Sequence, residues 1–258
     1  MHWILQENIF KETAYDNLID VLQRAGLSFS QHKVVPFVGD LLPAPQLDTN
    51  NVICFGSYSM RHYAKRMGWT PGVFDLEPFD FQEQVKHWDT QMLNWCGEVV
   101  PFGQATVRGH KFIRPTTDSK VFAGRVIDEE EFADWQRKVC VLEEDDGSSL
   151  TRDTLIQVCP LMQIYAEYRF WVVKGEIVCA SLYKRGMEVI YSDVVDKFYF
   201  DYVREMIDTW QPHDAFCIDV CNSHMGPRIV EINTINSSGF YACNIPRLVE
   251  AMEHHFSV

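Results

Sequence analysis

Short apolar runs and amphipathic stretches alternate along the first third of the chain. The runs WILQ, HKVVPF and NVICFGS have the length and β-branched content of strands. A helical pattern at residues 11 to 25 ends before Gly26, and YSMRHYAKRMG predicts a short helix closed by Gly68. A third amphipathic stretch, FDFQEQVKHWDTQMLNWCG, predicts a helix that ends at Gly97. Strands alternating with helices predict an α/β subdomain with a boundary near Gly97.

Strand patterns dominate the chain from Gln104 onward. A helical pattern near residues 193 to 210 separates the last two apolar runs from the others. In VVKGEIV, Lys174 and Gly175 predict the turn of a hairpin. The second part of the chain is therefore predicted to be built on sheets. Its predicted strands are KFIRP, KVFAGRVI, TLIQVCP, YRFWVVKGEIVCASLYK, AFCIDVC and RIVEINTI.

Three polar side chains interrupt the last two apolar runs. In AFCIDVC, period-two alternation places Asp219 on the face opposite Ile218 and Val220, and in RIVEINTI it places Glu231 and Asn233 on one face. A buried acid needs a partner or a metal, because burying it alone costs several kcal/mol. The three side chains can converge across neighbouring strands, and hard oxygen ligands of this kind suit Mg²⁺. The alternative is a half-exposed strand with a chance acid.

Composition narrows the class of protein. With 258 residues, 47% of them hydrophobic, the chain can bury a large core. No apolar run approaches the roughly 20 residues that span a bilayer, and MHWILQENIFKE lacks the features of a signal peptide, so we expect a cytoplasmic protein without membrane association. The eight cysteines form no CxxC pair, which favours reduced, buried thiols.

The distribution of charge is uneven. A net charge of -13 argues against a nucleic-acid partner, since phosphate backbones are bound mainly through Lys and Arg. One segment, VRGHKFIRPTTDSKVFAGR, is nevertheless cation-rich and contains a single acid, Asp118. Each cation alone could equally be a solvated surface charge. The cations are Arg108, Lys111, Arg114, Lys120 and Arg125.

Taken in order, the basic segment, the strand with Asp219 and the E-x-N strand resemble the ATP-grasp superfamily. The resemblance is strongest to its small, divergent, stand-alone domain families of bacteria and phages. It implies an α+β fold in three parts: an N-terminal α/β (pre-ATP-grasp) subdomain at residues 1–97, a small lid at 98–157 and a C-terminal metal-binding sheet subdomain at 158–258. Nucleotide is expected between the last two parts.

The resemblance also implies ligands for the nucleotide and the metal. Asp219, Glu231 and Asn233 match the family's metal ligands, and FIRP matches its VKP strand, so that Arg114 replaces the usual lysine. Lys111 and Lys120 remain alternatives for the phosphate contact. The segment LIQVCPLMQI resembles the hinge that holds adenine, with four residues near the base: Gln157, Val158, Cys159 and Leu161.

Further residues match positions around the ribose, the transferred phosphoryl group and the acceptor. Glu167 matches the ribose ligand, and Arg169 shares its face of the strand. Lys184 and Arg185 are both candidates near the phosphoryl group, and we favour Arg185. Contacts with the non-nucleotide substrate are expected from two turns, although plain turns are the alternative. The substrate residues are Gly56, Ser57, Ser237, Ser238 and Gly239.

The activity that the resemblance implies is amide bond formation between a carboxylate and an amine. ATP and Mg²⁺ or Mn²⁺ would be required, an acylphosphate would form, and ADP and phosphate would be released. A small-molecule kinase on the same scaffold and a non-catalytic nucleotide-binding module are the alternatives. The sequence does not identify the carboxylate, the amine or the oligomeric state.

Overall fold

Three sheets follow one another along the chain of the computed structural model, which describes residues 1–9, 13–116, 121–142 and 149–258. The first sheet has the order β3-β2-β1-β4-β5, and only β3 runs antiparallel to its neighbour. Gly68 ends α2 in the left-handed conformation, as predicted, with φ of 67°. The elements are β1 (His2–Gln6), α1 (Thr13–Arg24), β2 (Ser28–Val34), β3 (Leu41–Leu42), β4 (Asn51–Phe55), α2 (Met60–Met67) and β5 (Thr70–Gly72).

The second sheet, which we call the lid sheet, is antiparallel throughout and has the order β6-β9-β7-β8. Helix α4 covers it, and Phe102, Ile113, Phe132 and Ile156 form its buried centre. The predicted strand KVFAGRVI is shorter than expected, since only its last three residues are a strand. The elements are β6 (Glu98–Pro101), β7 (Lys111–Pro115), β8 (Arg125–Ile127), α4 (Glu129–Arg137) and β9 (Leu155–Cys159).

The helix that precedes the lid sheet, α3 (Phe81–Trp88), ends well before Gly97, so that prediction was wrong. Asp89 has a positive φ of 42°, which stops the helix. The chain then packs against the last strand, where the Leu93 amide donates to the Ile229 carbonyl at 2.7 Å. Long-range pairing therefore overrides the amphipathic pattern of the sequence.

The third sheet, the C-terminal sheet, is antiparallel with the order β12-β11-β10-β13-β14. Lys174 and Gly175 form the predicted hairpin turn, with φ of 49° and 81°. The mixture of a parallel sheet with two antiparallel ones confirms the α+β class. The elements are β10 (Ile164–Val173), β11 (Glu176–Arg185), β12 (Glu188–Ser192), α5 (Lys197–Thr209), β13 (Ala215–Ser223), β14 (Gly226–Asn233) and α6 (Ile245–Phe256).

The main core joins the first and third sheets. Trp3 and Phe55 of the first sheet pack in one cluster with Trp171 and Cys217 of the C-terminal sheet and with α6. The opposite face of the C-terminal sheet packs against α3 and α5. In the sequence, the lid sheet lies between these two joined sheets, with β6 beginning at Glu98 and β9 ending at Cys159. The predicted boundaries at 97/98 and 157/158 stay predictions.

Within the described ranges, no helix combines the length and apolar character needed to cross a bilayer.

Candidate active site

The structure brings the three predicted oxygen-bearing side chains together. Asp219 on β13 lies opposite Glu231 on β14, and Asn233 follows two positions along the same strand. The Asn233 carboxamide nitrogen donates to Asp219 Oδ2 at 3.2 Å and to Glu231 Oε1 at 3.4 Å. One oxygen from each carboxylate therefore faces the same point beside Asn233.

Arg169 forms a buried two-point ion pair with Asp219. The strands β10 and β13 place the two residues opposite each other. Arg169 Nε donates to Asp219 Oδ1 at 2.8 Å, and Nη2 donates to Oδ2 at 2.7 Å. The side chains are only 8% and 3% exposed. Burial raises the pKa of Asp219, and the Arg169 guanidinium opposes that rise.

The Arg169 guanidinium also reaches the predicted acceptor loop. Its Nη1 donates to the Gly239 carbonyl at 3.3 Å, and its centre lies 4.9 Å from the Tyr241 ring centroid. Ser238 is held in the same loop, where its hydroxyl donates to the Thr234 carbonyl at 2.7 Å. Ser237 is exposed. Arg169 therefore links the Asp219 carboxylate to the loop that follows β14.

Arg114 connects the lid sheet to the acids. From β7, its Nη2 donates to Glu231 Oε2 at 2.9 Å, with side-chain exposures of 20% and 33%. Lys111, at the start of the same strand, makes no ion pair within the described part of the chain. Lys120 lies outside the described residues. Of the cations predicted to contact phosphate, Arg114 is the one that approaches the acids of β14.

Glu167 and Lys184 lie side by side on the C-terminal sheet. Lys184 Nζ is 2.8 Å from Glu167 Oε1, and the Tyr183 hydroxyl donates to Glu167 Oε2 at 3.0 Å. Arg185 is exposed at the end of β11, beside Ala166 rather than Glu167. The geometry therefore groups Lys184, and not the favoured Arg185, with the predicted ribose ligand.

The predicted hinge is packed tightly against the segment before β6. Gln157 is fully buried, and its Nε2 donates to the Asn94 carbonyl at 2.8 Å, whereas its Oε1 has no hydrogen-bond partner. A Cβ on Gly97 would lie 2.6 Å from both Gln157 Nε2 and Cys159 Sγ, so only glycine fits there. Burial raises the pKa of Cys159 to about 12. Val158 is buried, and Leu161 is 49% exposed in the following loop.

The Gly56–Ser57 turn lies at the end of β4. The Gly56 amide donates to the Asn236 carbonyl at 2.9 Å, and the Ser57 amide donates to Gln6 Oε1 at 2.6 Å. The hydroxyls of Ser57 and Ser59 are 2.9 Å apart. Ser59 lines the cavity described below, so Ser57 lies one hydrogen bond behind its wall.

Sequence reasoning missed Asn236 as the link between the first sheet and the E-x-N strand. This side chain is 3% exposed and saturated with hydrogen bonds. Its Nδ2 donates to the Cys54 carbonyl at 2.7 Å, and its Oδ1 accepts from the Phe74 amide at 2.9 Å. The signal in the sequence is a polar residue inside the apolar-flanked run NTINSSGF. Asn236 therefore fixes β14 relative to β4 and the segment after β5.

A cavity of about 440 Å³ lies where the first subdomain, the lid sheet and β14 meet. It has room for a small molecule, since ligand sites typically measure about 300 to 1,000 Å³. The cavity joins the acids of β14 to helix α2 and the turn before it. Its polar lining includes Arg114, Glu231 and Asn233 from the lid sheet and β14, and Tyr58, Arg61 and His62 from the first subdomain.

The residues present fit a magnesium ion. Within the described residues, no three His, Cys, Asp or Glu side chains form a metal-binding group. Asp219, Glu231 and Asn233 instead offer two carboxylates and one carboxamide, a set that suits Mg²⁺ because this ion takes its other ligands from water and phosphate. The shared position of the two carboxylates beside Asn233 agrees with such a site.

Comparison with known proteins identifies the family. A family model that describes an ATP-grasp domain, the third family of its clade, matches residues 50–252. No curated protein matches the chain in sequence. Among solved structures, the RimK domain ATP-grasp protein of Sphaerobacter thermophilus is similar with a TM-score of 0.65 and 12% identity over 99% of both chains.

Two other solved structures share the fold. D-alanine–D-alanine ligase of Bacillus anthracis has a TM-score of 0.63 and 9% identity over 100% of this chain and 94% of the ligase. D-cycloserine synthetase DcsG has a TM-score of 0.61 and 11% identity over 99% of both chains. At these identities the similarity shows the fold, and the family model matches most of the sequence. The chain therefore belongs to the ATP-grasp superfamily, in the clade family that the model describes, and has the ATP-grasp fold that its motifs predicted.

Proposed function

We propose that this protein is an ATP-dependent carboxylate–amine ligase that works through an acylphosphate and releases ADP and phosphate. The observation that carries the proposal is the meeting of Arg114 with Glu231 and Asn233 at the wall of a small-molecule cavity. A phosphate-binding cation, oxygen ligands for a metal and space for an acceptor are all needed for phosphoryl transfer to a carboxylate.

In this proposal, ATP lies between the lid sheet and the C-terminal sheet. The hinge residues Gln157 to Leu161 would border the base, and Glu167 would bind the ribose. Arg114, with Lys111 and Lys120 as the alternatives, would contact the phosphates. The basic character of β7 supports this, because Lys111 and Arg114 both come from that strand.

Asp219, Glu231 and Asn233 would hold Mg²⁺ or Mn²⁺, which neutralises charge on the triphosphate when bound. Without ligands, Arg169 pairs with Asp219, and Arg114 pairs with Glu231. These cations compensate the negative charge of the two carboxylates, and carboxylates bind metal in that charged form. Nucleotide binding would separate Arg114 from Glu231, since each of them then has a new partner.

The chemistry would proceed in two transfers. A carboxylate oxygen of the acceptor forms a bond to the γ-phosphorus while the bond from that phosphorus to the β,γ-bridging oxygen breaks, so ADP leaves. An amine then forms a C–N bond to the acyl carbon, loses a proton, and the C–O bond to phosphate breaks. Arg114 and Lys184 are the residues that we assign to stabilising the charge on the transferred group, with Arg185 as the exposed alternative.

Hydroxylamine should trap the acylphosphate. Incubation of the protein with ATP, Mg²⁺ and a panel of carboxylic acids is expected to yield a hydroxamate together with ADP, because hydroxylamine is a small nucleophile that takes the place of the amine. The iron-complex assay for hydroxamates and a coupled assay for ADP measure the two products. A stable phosphoester without any hydroxamate would replace the ligase with a kinase.

Substitutions of Arg114 should separate charge from geometry. Arg114→Gln is expected to raise the KM for ATP about 30-fold or more, since it removes a charged phosphate contact. Arg114→Lys keeps the charge, loses the planar fork, and should stay within about tenfold of the unaltered protein. Steady-state ADP release at varied ATP concentration measures both.

Arg108→Gln is the matched control, because Arg108 lies in the same basic segment and is exposed. It should leave the KM for ATP unchanged. An equal effect of the Arg108 and Arg114 substitutions would show that overall charge, rather than a contact at Arg114, governs ATP binding.

A further inference from the structure

Arg61 has hydrogen-bond donors without acceptors at the wall of the cavity. Its side chain is 19% exposed and lies on α2. Within the described residues its guanidinium makes one hydrogen bond, from Nη1 to the Tyr58 carbonyl at 3.3 Å. Its Nε is buried with no hydrogen-bond partner. Arg169, by contrast, donates from all three nitrogens to Asp219 and Gly239.

The groups around Arg61 hold it in place without occupying its donors. The guanidinium centre lies 4.1 Å from the Tyr58 ring centroid. Its nearest acids are Asp75, with Oδ1 at 4.0 Å from Nε, and Glu77, with Oε1 at 3.7 Å from Nη2. Both distances exceed a hydrogen bond, and Asp75 Oδ1 already accepts from the Tyr58 hydroxyl and the Glu77 amide. Buried polar groups in proteins are normally paired, so these free donors indicate a ligand.

The cavity therefore has two cations that come from different subdomains. Arg114 belongs to β7 of the lid sheet, beside the E-x-N strand, whereas Arg61 belongs to α2 of the first subdomain. The proposed function uses Arg114 at the end where the reacting carboxylate meets the phosphoryl group. It leaves Arg61 without a role.

We propose that Arg61 binds a second anionic group on the acceptor, so that the acceptor is a carboxylic acid with another carboxylate or a phosphate. This inference rests on the proposed function, which sets the reacting carboxylate near Asn233. An arginine fork suits either anion because its parallel N–H groups match two oxygens. A monoanionic acid would leave the Arg61 donors unpaired.

Binding measurements test the inference without turnover. Thermal shift and calorimetry would compare glutamate with glutamine, succinate with succinamate, and 3-phosphoglycerate with glycerate. Each pair differs mainly in the second anion. We expect one or more of the dianionic members to bind, with the carboxylate and phosphate arms showing which second anion is used. Arg61→Met should weaken that binding about 30-fold or more.

Arg66→Met is the matched control on the same helix. Arg66 is 55% exposed, pairs with Asp40 and lies over the Tyr63 ring, outside the cavity. This variant should bind the dianionic acid like the unaltered protein. Arg61→Lys should retain part of the affinity, and an unchanged thermal shift with Mg–ATP would show that the Arg61 variants are folded.

The outcomes separate this inference from the ligase proposal. If no dianionic acid binds, or if Arg61→Met binds it as well as the unaltered protein does, the inference is overturned. Formation of hydroxamate from monoanionic acids with no effect of Arg61→Met would also overturn it and leave the ligase standing. Arg61-dependent binding with no release of ADP would support the site and contradict the ligase.

Discussion

Replacing Glu231 with glutamine should lower ATP-dependent release of ADP by at least about 100-fold, because it removes one of two carboxylates from the proposed metal site. Glutamine has nearly the same shape as glutamate, so the packing of β14 should persist. Glu231 is 33% exposed on its side chain, and the loss of its pair with Arg114 should change stability little. A coupled assay for ADP, alongside thermal unfolding, measures both effects.

Glu176→Gln provides the control for this variant. Glu176 is exposed at the start of β11, in the same sheet but at the hairpin end away from the acids. It should release ADP at the unaltered rate. Activity of Glu231→Gln within tenfold of the Glu176→Gln rate would contradict the assignment of Glu231, since a metal ligand does not tolerate that loss of charge.

Local signals in the sequence predicted much of the secondary structure because they report local physics. Gly68 and Gly175 adopt positive φ, a conformation that glycine reaches without strain, and both end elements where they were expected to. Period-two alternation in β14 placed Glu231 and Asn233 on one face, and their side chains do lie within 3.4 Å of each other. A strand's own pattern determines which of its residues share a face.

Contacts between distant segments could not be predicted in the same way. The pairing of Arg169 with Asp219 depends on the register of β10 against β13, which are separated by two strands and a helix along the chain. Asn236 reaches Cys54 across 182 positions, and no local pattern reports such a contact. The cavity beside Arg61 is also a product of how three subdomains meet. Family resemblance supplied the metal ligands, but it did not indicate these neighbours.

The structure also shows why the acids can exist before any ligand binds. Asp219 is almost fully buried, and its charge is stabilised by Arg169 from the same sheet. Glu231 is more exposed and is stabilised from the lid sheet by Arg114. One ion pair is thus internal to the C-terminal sheet, whereas the other crosses between subdomains. Only the second needs to break for a lid to move.

Arg169→Leu should lower the free energy of unfolding by about 3 to 5 kcal/mol at pH 7, because it leaves a buried carboxylate without its partner. With the guanidinium gone, burial acts on Asp219 unopposed and its pKa rises further. An acid whose pKa is higher in the folded state destabilises that state as pH rises above its unfolded value, about 3.9. The loss should therefore shrink on acidification toward pH 4.5. Urea unfolding at the two pH values measures it.

A double substitution and a surface pair complete this test. Arg169→Leu with Asp219→Leu should be more stable at pH 7 than Arg169→Leu alone, since no unpaired charge then remains in the interior. Lys174→Met removes a cation from the exposed pair with Asp214, whose atoms are 2.7 Å apart, and should cost less than about 1 kcal/mol. If Arg169→Leu cost no more than Lys174→Met, or if its loss were the same at both pH values, the buried pair would not be the source of the stability. The contrast follows from burial, because the two pairs have nearly equal contact distances and differ chiefly in their exposure to water.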